Sequence, residues 1–121
     1  MNGPCLRCGG ANVAQGHHVL GRDASRAYVV PEVLAPLCAP RCHQAGIHRL
    51  LSTAGLDGPM KATPGVLIGR IACFLGWLVW PCEDDDCEPV VGGALRTVLA
   101  EIANVLAAIA HELRTDERGA R

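Results

Sequence analysis

The sequence predicts an α+β fold in which a small cysteine- and histidine-rich module is followed by a C-terminal α-helical hairpin. The first 51 residues hold two short cysteine pairs and show little hydrophobic periodicity. Residues 54–63 bring two glycines and a proline close together, which is typical of a linker. Beyond them, two stretches carry apolar residues at helical spacing. The predicted divisions are therefore a module at 1–53, the linker, a hairpin at 64–114 and a flexible tail at 115–121.

The charge of the chain is unevenly distributed. The 121 residues have a formal net charge of −1. The first 51 carry five arginines against two acidic side chains, and the rest carry six basic against ten acidic side chains. A basic first half and an acidic second half suit a nucleic-acid-facing module on a non-binding scaffold, although ordinary surface charge gives the same balance.

The sequence predicts a cytoplasmic protein with no membrane partner. Met1 to Pro4 lead straight into the first cysteine pair, with no apolar signal segment. The longest apolar stretch, 66–81, is short of a membrane span and contains Arg70. In that compartment, closely paired cysteines more often bind metal than form disulfides.

Two cysteine pairs predict a structural zinc site. Cys5 and Cys8 form C-x2-C followed by Gly9, and Cys38 and Cys42 form C-x3-C, one residue longer than usual. Four thiolates supply the tetrahedral ligand set of a structural Zn²⁺. Gly9 would relieve the strain of the tight turn that points backbone amides at the sulfurs. The alternative is that one cysteine is not a ligand and a histidine replaces it.

Inside the module, short extended pieces are predicted at Ala27 to Val30 and at Val33 to Leu37. After Pro40 the chain is predicted to turn helical, roughly as far as Ser52. This helix would place three apolar side chains on one face: Ile47, Leu50 and Leu51.

The histidines lie among the cysteine pairs in a specific order. That order is Cys5-x2-Cys8-Gly9, His17-His18-Val19, Leu37-Cys38-x3-Cys42-His43 and Ile47-His48. It resembles the HNH endonuclease family over about residues 5–51. The resemblance implies a ββα-metal fold, in which a two-stranded hairpin and a helix hold a catalytic divalent metal beside a four-cysteine zinc. It also implies a metal-dependent endonuclease acting on nucleic acid, with DNA the favoured substrate.

The resemblance gives each histidine a role. His17 would bind the catalytic metal, Mg²⁺ or another divalent ion, and His18 would be the general base that activates water. His43 and His48 would complete the metal site from the helix. Neutral imidazole suits both roles near pH 7, and phosphodiester hydrolysis needs both a metal and a base.

Two features depart from the family pattern. His43 and His48 are separated by four residues instead of three, which places them about 140° apart on an ideal α-helix. Both would then bind one metal only if the helix begins after His43. The family's asparagine between the histidine doublet and the second cysteine pair is missing, and Asp23 and Glu32 are the candidates to replace it.

Four arginines of the first half are candidate phosphate contacts: Arg22, Arg26, Arg41 and Arg49. The main alternative to a nuclease is a non-catalytic zinc-binding module that recognises nucleic acid or a protein, supported by the missing asparagine and the altered spacings. A third hypothesis is a helical interaction protein whose zinc module is only a cap, supported by the long apolar seam and the acidic second half.

The hairpin helices are predicted from about Pro64 to Trp80 and from about Pro89 to Leu113. Their apolar seams are Leu67, Ile71, Phe74 and Leu78 on the first and Leu95, Leu99, Ile102, Leu106, Ile109 and Leu113 on the second. This heptad-like spacing predicts that the helices close on each other or pair with another subunit, so a homodimer through the C-terminal helices is also expected. A different face of the first helix, with Cys73, Trp77 and Trp80, would pack on the module or on a subunit.

Overall fold

The computed structural model describes residues 5–9, 14–21, 34–38, 43–58, 60–79 and 90–119. Two strands come first, β1 (Ala14–His18) and β2 (Leu34–Cys38). A π-helical turn over His43–His48 then continues as the short helix α1 (Arg49–Thr53). Two longer helices complete the chain, α2 (Pro64–Val79) and α3 (Gly93–Gly119). Strands and a short helix thus precede a helical hairpin, as expected, while the ββα-metal assignment itself stays a prediction.

The two strands form an antiparallel sheet whose inner face is buried. The register pairs His17 with Ala35 and His18 with Leu34. Opposed residues share a face and successive residues alternate between faces. His17 and Ala35 accordingly face the core, where both are buried, while Leu34 is exposed. The histidine doublet is therefore divided between the two faces of the sheet.

The predicted extended piece at 33–37 is observed, shifted by one residue, as β2. The other predicted piece, at 27–30, lies outside the described residues. The predicted helix after Pro40 is described from His43. Ile47 and Leu51 are buried, but Leu50 is exposed. Residues four apart share a helix face, and Leu50 lies beside that face.

The segment 54–63, predicted as a linker, is packed against the rest of the fold. Leu56 and Ala62 are buried. The Leu56 amide donates a 2.8 Å hydrogen bond to the Leu51 carbonyl, and Gly55 at φ 72° makes the turn between them. The segment is therefore a packed connection and not a spacer between independent units.

One hydrophobic core joins the N-terminal module to α2. The module and the connection contribute Cys5, Val19, Ala35, Leu37, Ile47, Leu51 and Leu56, and α2 contributes Val66, Phe74, Trp77, Leu78 and Val79. The predicted hairpin seam contained Phe74 and Leu78, which lie in this shared core instead. The reason is size: a module this small buries too little apolar surface alone, so the large side chains of α2 complete it.

Helices α2 and α3 are antiparallel and meet through small residues. The Gly65 amide donates to both carboxylate oxygens of Glu117, at 3.2 Å each. A Cβ built on Gly69 would lie 3.7 Å from the Cβ of Ala110. The buried residues of α3 are Ala103 and Ala110. Of the predicted seam on α3, Leu99 packs against the core, whereas Leu95, Ile102 and Ile109 are exposed. Only part of that seam therefore faces the rest of the chain.

The end of α3 differs from the prediction of a flexible tail at 115–121. The helix continues to Gly119. Glu117 is held by the Gly65 amide, and Arg118 Nε donates to the Arg114 carbonyl at 3.2 Å. These contacts explain why a strongly charged segment stays helical.

Among the described residues, α3 is the one helix that is long and apolar enough to cross a membrane by length and composition. Those two properties alone do not distinguish a membrane span from a helix that packs on protein. The absence of a membrane partner and the cytoplasmic location stay predictions.

Arg70 is buried within α2 and connects three segments of the chain. Its Nε donates to the Leu56 carbonyl at 3.2 Å, and its Nη1 donates to the Leu20 carbonyl at 2.8 Å. Its Nη2 donates to the Gly58 carbonyl at 3.2 Å. A rigid guanidinium fork suits this arrangement of acceptors. Arg70 therefore ties the end of β1 and the connection before α2 to the helical hairpin.

Replacing Arg70 with methionine is expected to lower the free energy of unfolding by about 3 kcal/mol. Methionine keeps an apolar stem but removes the donor that three carbonyl groups share, and unmet buried acceptors are costly. Arg70→Lys is the matched control for charge, and it should recover only part of the loss because an ammonium lacks the fixed fork. Urea unfolding curves measure the three proteins, and equal midpoints for wild type and Arg70→Met would contradict this role.

Candidate metal centre

His17 and His48, two of the predicted ligands, are neighbours. Strand β1 presents His17 and the end of the π-helical turn presents His48. Their ring centroids are 5.2 Å apart and their planes are nearly perpendicular, at 86°. A metal binds imidazole nitrogens at about 2.0–2.1 Å, so two rings on one ion stand at a separation of this order. The separation of the two rings is therefore of the size that a shared divalent ion requires.

The surroundings of the two rings differ. His17 is buried, and Phe74 of α2 lies nearly parallel to it with ring centroids 5.8 Å apart. The His48 side chain is 37% exposed. The pair therefore has an aromatic wall on the His17 side and an opening toward solvent on the His48 side. Phe74 was not a sequence candidate, because its spacing had placed it in the hairpin seam.

Asp57 orients His48. Its Oδ1 lies 2.8 Å from His48 Nδ1. A carboxylate accepts the Nδ1 proton and so fixes the tautomer, which makes Nε2 the nitrogen whose lone pair can bind a metal. Metal-binding histidines commonly have such a partner. Asp57 was not a sequence candidate, because it lies in the predicted linker and no spacing rule connects it with His48.

The π-helical turn changes the expected relation between His43 and His48. A π-helix bonds each residue to the one five positions along, and these histidines are the first and last residues of the turn. Backbone positions five apart therefore come close to one face, so the angle of an ideal α-helix does not apply. The His43 side chain lies outside the described part of the structure.

His18, the predicted general base, is not in the cluster formed by His17 and His48. It is half-buried at the end of β1, on the other face of the strand. Its carbonyl accepts a 3.0 Å hydrogen bond from the Gly21 amide. This turn ends the strand directly after the doublet and leaves His18 at the sheet edge.

The first cysteine pair has the turn expected of a zinc knuckle. The Gly9 amide donates to the Cys5 carbonyl at 2.8 Å, and Gly9 has φ 70°, a conformation that favours glycine. Cys5 is buried and Cys8 is half-buried. The backbone of Cys38 pairs with that of Ala14 at the end of the sheet.

Neither metal site is complete within the part of the chain that is described. There, no group of three or more His, Cys, Asp or Glu side chains is placed to hold a metal ion. The side chains of Cys38 and His43, and all of Cys42, lie outside that part. The structural zinc and the catalytic divalent metal therefore stay predictions, each with two of its predicted ligands described.

The four arginines predicted to contact phosphates also lie partly inside and partly outside the described residues. Arg49 is exposed at the start of α1, directly after His48, where it remains a candidate phosphate contact. Arg22, Arg26 and Arg41 lie outside the described residues.

Arg7, between the first two cysteines, is buried. Its Nε donates to the Trp77 carbonyl at 2.9 Å, and its guanidinium carbon lies 5.0 Å from the centre of the Trp77 ring. Arg7 therefore attaches the knuckle to α2.

A separate groove of about 260 Å³ lies between α2 and α3. Cys73 is on its wall and Arg114 is at its edge. Burial raises the pKa of the Cys73 thiol, and the nearby Arg114 guanidinium lowers it by less. The thiol is therefore protonated at neutral pH and acts as a small apolar side chain.

Comparison with protein families, curated proteins and solved structures finds no match to this chain. The resemblance to HNH endonucleases therefore rests on the motif residues alone.

Proposed function

We propose that this chain is a metal-dependent, HNH-like endonuclease that hydrolyses phosphodiester bonds in nucleic acid, with DNA the favoured substrate. The observation that carries the proposal is the pairing of His17 with His48, whose ring is held by the Asp57 carboxylate. Two adjacent imidazoles, one with a carboxylate partner, form a pattern typical of metal ligands. A histidine that is buried only for packing needs neither a second imidazole nor a carboxylate beside it.

In this proposal His17, His43 and His48 hold Mg²⁺ or another divalent ion. When bound, such an ion neutralises charge on the scissile phosphate and on the leaving oxygen. Phe74 fixes the His17 ring and Asp57 fixes the His48 ring. The π-helical turn supports the assignment of His43, because it brings backbone positions 43 and 48 toward one face.

His18 acts as the general base and takes the proton of the attacking water. Its half-buried position at the strand end keeps the imidazole within reach of solvent, and neutral imidazole accepts protons near pH 7. Arg22, Arg26, Arg41 and Arg49 contact phosphates from the same half of the chain.

The structural zinc is held by Cys5, Cys8, Cys38 and Cys42. The hydrogen-bonded turn between Cys5 and Gly9 supports this assignment. Zinc would stabilise a module whose described sheet has only two strands, too few for independent stability.

A non-catalytic zinc-binding module that recognises nucleic acid or a protein is the second candidate function. It is favoured by the position of His18, on the opposite face of β1 from His17. The missing asparagine between the doublet and Cys38 favours it as well. Such a module binds the structural zinc but needs no second ion.

The test is plasmid cleavage by the purified, zinc-loaded chain with Mg²⁺, Mn²⁺ or Ni²⁺, beside His18→Ala. Loss of a general base is expected to slow metal-dependent nicking by about 10²–10⁴-fold. His111→Ala is the matched control, because His111 is an exposed histidine on α3 and its loss should leave the rate unchanged.

Two outcomes would contradict the proposal in different ways. If neither wild type nor His18→Ala cleaves, although zinc is bound and the helical content is native, the binding module is the better account, and salt-dependent DNA binding then identifies its partner. If both cleave equally, His18 is not the base.

A further inference from the structure

Helix α3 carries a row of large apolar side chains that no described residue covers. Leu95, Val98, Ile102, Val105 and Ile109 each expose between 41% and 59% of their surface. They are spaced 3, 4, 3 and 4 residues apart, which is the a/d spacing of a coiled-coil heptad. The row extends for about 21 Å along the helix. We refer to these five residues as the α3 row.

The α3 row is distinct from the face by which α3 packs inside the chain. That inner face carries Ala103 and Ala110, which are buried. Leu99 and Leu106 are half-buried between the two faces. The α3 seam predicted from sequence combined residues of the α3 row with the half-buried leucines beside it. It shares Leu95, Ile102 and Ile109 with the α3 row, but it does not include the two valines of the row. The hairpin is thus closed without using the row.

We propose that the α3 row packs against the α3 row of a second copy of this chain, forming a two-fold homodimer. Five aliphatic side chains that are about half exposed amount to roughly 400 Å² of apolar surface, within the range of the largest and often functional patch on a monomer. Two such surfaces bury about 800 Å², and the partly exposed Leu99, Leu106 and Leu113 beside them add area toward the about 1,000 Å² that a specific interface needs. Heptad spacing makes the surface self-complementary, as two-fold symmetry requires. This inference is independent of the proposed endonuclease activity.

The charges of α3 favour a protein partner over a lipid surface. The helix carries three arginines and four acidic residues, whereas membrane-surface helices are rich in Lys and Arg. Glu101 is exposed beside Ile102, inside the apolar part of the helix. Its charge would be costly in hydrocarbon but stays in water at the edge of a helix–helix interface.

Sedimentation equilibrium of the zinc-loaded, full-length chain tests the dimer. Wild type should have twice the chain mass of 12.7 kDa. Ile102→Glu should raise the dimer dissociation constant by about 100-fold or more, because symmetry buries the new charge twice. Thr97→Glu is the matched control, because it adds the same charge at an exposed position outside the row and should leave the dimer intact.

A second variant covers the case in which Ile102→Glu fails to fold. Ile102 is the midpoint of the α3 row, so it meets its own symmetry mate whether the helices run parallel or antiparallel. Ile102→Cys should therefore form a disulfide-linked dimer under oxidation, and Thr97→Cys should not. A wild type that remains monomeric at its highest soluble concentration would overturn the proposal. If that monomer binds phosphatidylcholine–phosphatidylglycerol vesicles and Ile102→Glu does not, the row instead contacts membranes.

Discussion

Replacing His17 with alanine is expected to remove the exchangeable divalent-ion site and, with it, all metal-dependent cleavage. His17 is buried between the His48 ring and Phe74. An exposed side chain therefore cannot reach this position to replace the lost ligand. The loss of ion affinity should exceed the roughly 10–100-fold that follows removal of a carboxylate hydrogen-bonded to a metal-binding histidine. Titration calorimetry with Mn²⁺ or Ni²⁺ measures it, because wild type should bind one such ion besides its zinc and His17→Ala should bind none.

The control for this prediction must separate ligand loss from loss of packing, because alanine also leaves a cavity against Phe74. His17→Leu fills most of that space but has no metal-binding atom, and it should lose the ion while keeping the wild-type unfolding midpoint. Asp57→Asn leaves both rings in place and loosens only His48, so it should weaken ion binding by about 10–100-fold. Unchanged ion binding in His17→Leu would exclude His17 as a ligand and, with it, the proposed metal centre.

The sequence identified members of this centre but not what holds them. The histidine doublet and His48 stood out because their order among the cysteines resembled a known motif. Asp57 could not be found in that way, since its contact with His48 depends on how the connection before α2 folds back. The path of this connection depends on the burial of Leu56 and on the hydrogen bond that its carbonyl accepts from Arg70 Nε. Both are tertiary contacts.

The relation of His43 to His48 depends on the type of helix that joins them. Reading the segment as an ideal α-helix put the two positions on different faces. The extra residue between them is accommodated instead by a π-helical turn, which restores a common face. A spacing of four residues does not by itself distinguish the two helix types, so sequence alone left the point open.

The helical hairpin was predicted as two helices, whose apolar seams were expected either to close on each other or to pair with another subunit. Both helices have apolar residues on more than one face, and a leucine-rich face has the stronger periodic signal. In α2 the larger side chains, Phe74 and Leu78, serve the core shared with the module. The two helices approach each other at Gly69 and Ala110, and the Gly65 amide bonds Glu117. Periodicity identifies a helix, but close approach through small residues decides which faces meet.

Loss of the structural zinc is expected to unfold the N-terminal module. The described sheet has two strands of five residues each, and so small a structure depends on its metal for stability. Cys5→Ser should therefore abolish stoichiometric zinc binding, and the coupling between zinc binding and folding should amount to about 10 kcal/mol. Trp77 reports the change by fluorescence, because it packs on Arg7 between the two cysteines of the knuckle.

The matched control is Cys73→Ser, which changes a thiol on the hairpin groove and not in the knuckle. It should retain zinc and the wild-type Trp77 signal, with at most a small loss of stability from a polar atom in an apolar groove. Chelation of zinc from wild type should reproduce the Cys5→Ser spectrum, because both remove the same constraint. A Cys5→Ser protein that keeps one zinc ion and wild-type stability would exclude Cys5 from the site. A histidine would then be the fourth ligand, and one fewer imidazole would be left for the proposed catalytic metal.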